Sequence, residues 1–553
     1  MTKETSNKKN GIFMQAGILA IAGVISRIIG LLYGSPLTAI IGDEGNGYYS
    51  TAYNIYLIVL LISSYSIPSA MSKIISQKLA VKEYRNAQRI FRCALIYVFI
   101  VGGIGSILLF FGAGLFVDGY SIPVLRTFAP IIFLFGPLGV LRGYFQAHRT
   151  MVPTSVSQLL EQIMNAIVSL SAAYLLVRLA AGQSDSIIAR NGAIGSALGT
   201  GAGVCTALIF MFLVYYRNRN LVKTRTSRDK HEDMEYSAIF KMIFTIVTPF
   251  IISTFIYNFS TTMNSSLFTK ILIYVRGFDS SEVITDYGIF SRKAMVIINF
   301  PIAMASATAS AMMPNVSTLY AQNKIAETEN LCAKALRVVM VIAIPSALGL
   351  MFLARPIMML LFPQKGTLDE AALLMAVLGV TVVFYSISTV TNSILQGVGR
   401  IVIPVVNAGV ALLIQSVILV ILLVFTDLGN IALCVVTIVY SFLMCVFNQY
   451  SMRKALSVKQ DIGKTYIIPF ISAFVMGVMG KVIYELFHFV FGFILGEDGY
   501  FTNLFATAIA LFVAVLCYAF MMIRLKGITE EDLHSFPKGA TLIRLLKKIH
   551  FLR

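Results

Sequence analysis

Residues Gly11–Ile41 read GIFMQAGILAIAGVISRIIGLLYGSPLTAII, an apolar run with one charge, Arg27, near its middle. The run exceeds the roughly 20 residues a helix needs to cross a hydrocarbon core of ~30 Å. It therefore reads as a membrane-spanning helix. A guanidinium cannot shed its proton, so holding it at membrane depth costs at least ~2.5–3.5 kcal/mol on insertion scales. Such a charge is kept where it faces water or an anion. Arg27 is thus the first candidate site residue, and Ser26 beside it the second.

Working outward, the same pattern recurs to the far end of the chain. Hydrophobic residues make up 57% of the sequence, mean hydropathy is +0.81 and only 13% of residues are charged, about half the ~25% of a soluble protein. Fourteen apolar segments are long enough to span: 12–41, 47–77, 92–117, 123–147, 153–180, 191–216, 238–274, 284–320, 333–362, 370–397, 401–425, 430–450, 464–494 and 500–524. The expected fold class is an all-α polytopic membrane protein with 14 transmembrane helices. The apolar run behind the basic N-terminal tail is too long for a cleaved signal peptide and lacks a small-residue cleavage site.

Most of the 44 Lys and Arg fall in the N-terminal tail, the even-numbered loops and the C-terminal tail. The positive-inside rule then places both termini in the cytoplasm, as an even number of spans requires. The net charge of +18 needs no nucleic-acid partner. The basic runs Arg217–Lys230 and Arg544–Lys548 suit anionic lipid headgroups. Six dispersed cysteines without CxxC spacing, and five dispersed histidines, predict no disulfide and no metal site. There is no Walker A, GxSxG or HExxH motif and no sizeable soluble domain, so no enzyme and no cofactor is expected. Ion gradients, membrane potential or downstream consumption of substrate must supply the energy. With no long ectodomain or coiled coil, a monomer is expected.

The longest polar interruption, Arg217–Tyr236, follows the sixth span and separates two halves that repeat weakly. Placing Ser69–Leu95 against Ser310–Leu336 at an offset of 241 matches Ser69 with Ser310, Ala70 with Ala311, Met71 with Met312 and Leu95 with Leu336. Gln146-Ala-His-Arg149 with Pro153 parallels Gln396-Gly-Val-Gly-Arg400 with Pro404. Six spans between equivalent positions make this a parallel repeat, a standard transporter architecture. The expected division is a six-helix bundle at 1–216, a basic linker at 217–237, a second bundle at 238–450, two additional helices at 464–524 and a basic tail at 525–553.

Further candidates follow from placement. Gly34 and Pro36 predict a hinge in the first helix, because proline removes a backbone hydrogen bond and clashes with the preceding turn. The seventh span carries a polar ladder of Ser253, Tyr257, Asn258, Thr261, Thr262, Asn264 and Ser265, mostly on one face, which either lines a cavity or bonds to neighbouring helices. Arg292-Lys293 lies inside the eighth span; two adjacent side chains diverge, and Arg292 is favoured as the one facing a cavity. Glu161, beside Gln162 and Asn165, can pair with Arg27 or Arg142 or bind a coupling ion. Arg142 and Arg149 border the cytoplasmic mouth. Lys481 and Glu485, four residues apart on one helix, are expected to neutralise each other.

Ser26-Arg27-Ile-Ile-Gly30, Leu141-Arg-Gly-Tyr-Phe-Gln-Ala-His-Arg-Thr-Met-Val-Pro153 with Glu161-Gln162, and Leu395-Gln-Gly-Val-Gly-Arg400 resemble the multidrug/oligosaccharidyl-lipid/polysaccharide (MOP) exporter superfamily. More narrowly they are similar to its SpoVB/YtgP branch, relatives of MurJ-type lipid II flippases. The resemblance implies two six-helix bundles around a cationic cavity in a bacterial cell membrane, with Arg27 and Arg292 contributing to it and the last two helices holding a lipid tail. Leu31, Leu32 and Tyr33 stand where MurJ-like chains carry an acidic residue, and Asn54–Ile67 lacks their second-helix arginine. The implied substrate is an undecaprenyl-pyrophosphate-linked sugar, held by Arg27, Arg292 and the polar face of the seventh span. Lipid II leads; a teichoic-acid, capsule or spore-cortex precursor is the alternative, and a drug/cation antiporter or a scaffold for cell-wall synthesis enzymes ranks below both.

Overall fold

The computed structural model describes residues 2–527 except 66, 149, 228, 230, 497 and 498; the side chains of 2–21, 64, 65, 221–223, 225, 249, 250, 252–254, 256–258, 310, 311, 314 and 365 also lie outside the description. Every described element is helical. In lipid no water is at hand to bond exposed backbone groups, so each segment must satisfy its own. Twelve of the described helices are long and apolar enough to cross a membrane. The protein is a multi-pass membrane protein.

The chain packs as two compact units, Met1–Arg292 with Leu419–Asp427, and Lys293–Ile418 with Leu428–Arg553. The first contains α1 (Thr2–Leu60), α2 (Ile67–Ala80), α3 (Tyr84–Phe111), the short α4 (Ala113–Phe116), α5 (Ser121–Ala147), α6 (Val152–Leu179), α7 (Asp185–Ser227), α8 (Tyr236–Lys270) and α9 (Ser280–Gly288). The second contains α10 (Met295–Ala321), α11 (Ile325–Phe352), α12 (Ala354–Leu361), α13 (Leu368–Gly397), most of α14 (Val402–Phe425), α15 (Asn430–Ala455), α16 (Ile468–Leu495) and α17 (Tyr500–Arg524).

α1 is too long for one crossing, and Gly42 divides it with φ 71° and ψ 177°, a conformation that only glycine adopts without strain. The contacts on either side show that the chain turns back there. Leu37 and Ile41 pack with Leu170 and Ala173 of α6. Tyr49, beyond the turn, reaches Thr200 of α7, whose hydroxyl is 3.3 Å away. The departure from helical dihedrals thus falls at Gly42 and not at the expected hinge of Gly34 and Pro36. Helix continues through Pro36, because membrane helices absorb one missing hydrogen bond more readily than a change in the sign of φ.

Helices approach where residues are small. On α7, a Cβ added to Gly195 or Gly199 would overlap the backbone of Ala173 or Ser169 on α6. The polar linker is held by its acids. Asp233 pairs with Arg89 at 2.7 Å and Arg85 at 3.1 Å, and Asp229 accepts from the Arg85 amide at 2.8 Å. Burial works against the Asp229 charge, but hydrogen bonds from the Arg85 and His231 amides and the His231 ring outweigh it. They hold the carboxyl at about 2, below its ordinary 3.8.

The repeat is visible in the element boundaries. α2 ends at Ala80 and α10 at Ala321, α3 spans Tyr84–Phe111 and α11 spans Ile325–Phe352, and α4 and α12 begin at Ala113 and Ala354. Each step is the same 241 residues seen in the sequence. Even the left-handed residues between the paired helices correspond, Lys82 at φ 64° and Asn323 at φ 61°.

Candidate functional site

Arg292 stands on a π-helical turn, Ile289–Ala294. Its guanidinium lies 4.7 Å from the Tyr49 ring centroid and beside the Tyr33 hydroxyl, which accepts from Asn165 Nδ2 at 3.2 Å. A cation over a tyrosine face gains ~0.5–1 kcal/mol when exposed and ~2 when desolvated. Lys293, the next residue, belongs to the second unit, is 0% exposed and donates to Thr367 Oγ1 at 2.7 Å. Successive residues on a helix point about 100° apart, so these adjacent cations serve different units: Arg292 stays within the aromatic cluster, Lys293 is enclosed.

The cluster is built on the second arm of α1. Tyr49, Tyr53 and Tyr56 share a face at spacings of four and three. The Tyr49 and Tyr53 rings stack at 5.5 Å, and Tyr56 stacks on Phe128 of α5 at 4.8 Å. Below them Asn54 Nδ2 donates to the Tyr287 hydroxyl at 2.7 Å, and Thr262 Oγ1 donates to the Asn54 carbonyl at 3.2 Å.

Of the polar ladder, Thr262, Asn264 and Ser265 are buried in this packing, whereas Thr261 is exposed. The side chain of Asn258, like those of Ser253 and Tyr257, lies outside the described residues. Arg27 is exposed on the first arm, about 9 Å along the axis from Tyr33 at 1.5 Å per residue. Among the described residues no hydrogen bond or ion pair engages it. Ser26 Oγ next to it is buried without a hydrogen-bond partner among the described residues.

Glu161 pairs with Arg142 and not with Arg27. Arg142 Nη2 lies 2.6 Å from Glu161 Oε2, its Nε donates to Ser157 Oγ at 2.9 Å, and the two side chains are 8% and 18% exposed. Arg142 therefore has its charge offset within the fold. Arg27 and Arg292 have no carboxylate partner among the described residues, and these two can bind anionic oxygens. Near Arg142, the α5–α6 link opens a cavity of about 470 Å³ lined by Tyr144, His148, Thr150 and Pro153 with Gln88 and Asn218. The expected Lys481–Glu485 ion pair is not formed: no carboxylate lies within 4 Å of Lys481 among the described residues, and both side chains are exposed.

The tyrosines Tyr33, Tyr49, Tyr53 and Tyr56 escaped the sequence reading. Their signal was present as Tyr48-Tyr49, Tyr53 and Tyr56 at helical spacing inside an apolar span.

Paired helical units, with two arginines that have no carboxylate partner among the described residues and aromatic faces beside one of them, make this a polytopic α-helical membrane protein of the kind that carries substrates between two helical halves. The family model described as a polysaccharide biosynthesis protein matches residues 13–320, and the MatE model matches 249–421. The chain belongs to the polysaccharide biosynthesis protein family, within the MOP exporter superfamily. It is similar to the Bacillus subtilis (strain 168) lipid II flippase MurJ, 22% identical over 92% of this chain and 94% of that one. It is also similar to stage V sporulation protein B of the same organism, 22% identical over 85% and 89%. The solved lipid II flippase MurJ in an inward closed conformation shares the fold, with TM-score 0.65 and 14% identity over 92% of this chain and 99% of that one.

Proposed function

We propose that this protein is a flippase that carries an undecaprenyl-pyrophosphate-linked sugar, lipid II first among them, from the inner to the outer leaflet by alternating access. The observation that carries the reading is the pair Arg27 and Arg292, intramembrane cations without carboxylate partners among the described residues. A pyrophosphate supplies the missing negative charge, and Arg forms paired hydrogen bonds to phosphate oxygens. The faces of Tyr49 and Tyr53, with the exposed Thr261, suit the sugars. Whole-length similarity to a lipid II flippase supports the same reading. In this reading the two arms of α1 cross separately and α8 crosses as well, so that fourteen spans leave both termini in the cytoplasm. No cofactor enters this scheme.

The test is lipid II exposure on the outer leaflet of cells depleted of their own flippase, comparing wild type with Arg27→Ala and Arg292→Ala. Rescue by wild type alone is expected. Full rescue by both variants, at equal membrane expression, would overturn the role of the arginines.

Similarity to stage V sporulation protein B favours a second substrate, the lipid-linked precursor of another glycan. Failure of wild type to restore lipid II exposure, with rescue of a strain lacking a different glycan flippase, would select it. The drug/cation antiporter reading is disfavoured by Glu161, whose carboxylate is occupied by Arg142.

A further inference from the structure

The cavity of about 470 Å³ at the α5–α6 link is lined by neither Arg27 nor Arg292, and the transport scheme gives it no task. The end of α2, the start of α3, the end of α5, the start of α6 and the later part of α7 meet there, all within the first unit. Its size falls within the ~300–1,000 Å³ of small-molecule sites. Leu79, Ala87, Phe145 and Pro153 give it apolar surface.

Its polar side chains have already spent donors on the fold. Gln88 Nε2 donates to the Tyr215 hydroxyl at 2.6 Å, Asn218 Nδ2 to the Val214 carbonyl at 2.8 Å and Thr150 Oγ1 to the Phe145 carbonyl at 3.0 Å. His148 Nδ1 lies 2.9 Å from the Tyr144 carbonyl, which only accepts, so that nitrogen is the donor. Thr150 keeps lone pairs for a ligand, and each amide keeps its carbonyl oxygen and a single N–H. A ligand for this set must bring donors of its own.

Two chemistries bring donors together with apolar surface: organic cations and polyols. Charge decides between them. Asn218 stands between Arg217 and Arg219 on α7, and neither arginine has a carboxylate partner among the described residues. Glu83, next to Tyr84 of the lining, is paired with Lys78 at 2.9 Å. Among the described residues no carboxylate lines the cavity. The local potential is therefore positive and repels a cation. An uncharged sugar ring meets no such barrier: its hydroxyls donate from the edge while its C–H face lies on apolar side chains.

We propose that this cavity binds an uncharged carbohydrate, either a free sugar or the glycan of a lipid-linked one, with hydroxyls donating to Gln88, Asn218 and Thr150. Such binding holds whatever the protein transports.

The experiment is saturation-transfer NMR on the full-length protein in lipid nanodiscs. The probes are N-acetylglucosamine and protonated glucosamine, which differ by an acetyl group and a charge. N-acetylglucosamine is expected to bind about threefold more tightly, as a screened like-charge repulsion implies. Asn218→Ala and Gln88→Leu should each weaken it about three- to tenfold, the loss of one neutral hydrogen bond. Asn218 is exposed, so its variant tests the site even if Gln88→Leu, which takes the donor from Tyr215, does not fold. Undecaprenyl-pyrophosphate-linked N-acetylglucosamine, set against sugar-free undecaprenyl pyrophosphate, then separates the sources. Displacement of the free sugar by the sugar-bearing lipid alone marks a lipid-linked glycan, and displacement by neither marks a free sugar. Absence of saturation transfer to N-acetylglucosamine, tighter binding of glucosamine, unchanged binding in Asn218→Ala, or displacement by both lipids would overturn the proposal.

Discussion

Glu161→Gln separates a structural carboxylate from a coupling one. The substitution leaves Arg142 charged, with Ser157 Oγ at 2.9 Å as its remaining side-chain partner. Breaking a fully buried pair by removing one member costs ~3–5 kcal/mol. Here Arg142 is 8% and Glu161 18% exposed, so solvent screens part of the loss, and about 2–3 kcal/mol is expected. The assay is the thermal midpoint of purified protein in lipid nanodiscs, with transport in flippase-depleted cells measured alongside. Glu161→Gln should lower the midpoint by several degrees and reduce transport only in proportion to folded protein. Replacing both partners, Arg142→Met with Glu161→Met, should recover most of the stability, since an apolar pair of similar volume removes the uncompensated charge. A Glu161→Gln variant with wild-type stability and no transport would refute this reasoning and make the carboxylate an ion-coupling group.

Other expectations follow from single features. Gly42→Ala should destabilise by ~1–2 kcal/mol, the cost of a side chain at positive φ; an unchanged thermal midpoint would argue against a sharp turn there. Arg292→Lys should retain more transport than Arg292→Ala, because an ammonium keeps the charge over Tyr49 while losing the planar fork; equal loss would show that guanidinium geometry matters more than charge. The depressed Asp229 carboxyl contributes stability that is fully present above about pH 4. That contribution is lost as pH falls towards 2, the value in the folded protein. Hydrogen exchange at residues 231–236 should therefore be flat from pH 5 to 8 once corrected for intrinsic rates, and Asp229→Asn should raise it throughout that range.

The all-helical membrane class followed from segment length and hydropathy alone, because lipid leaves few alternatives for a spanning backbone. The 241-residue repeat was equally legible, since identities such as Ser69 with Ser310 and Leu95 with Leu336 stand at one constant offset in the chain. Arg27 stood out because one charge in an apolar run is conspicuous in any context. What the neighbours of that charge are could not be read from the chain. That Glu161 takes Arg142, that Lys293 turns inward to Thr367 and that tyrosines gather around Arg292 all depend on which helices lie side by side. Those contacts join residues far apart in the chain, through side-chain directions that a turn at Gly42 or a π-turn at Arg292 resets. Sequence determined which segments are long and apolar enough to cross a membrane; only tertiary packing decided which of their charges find partners within the fold.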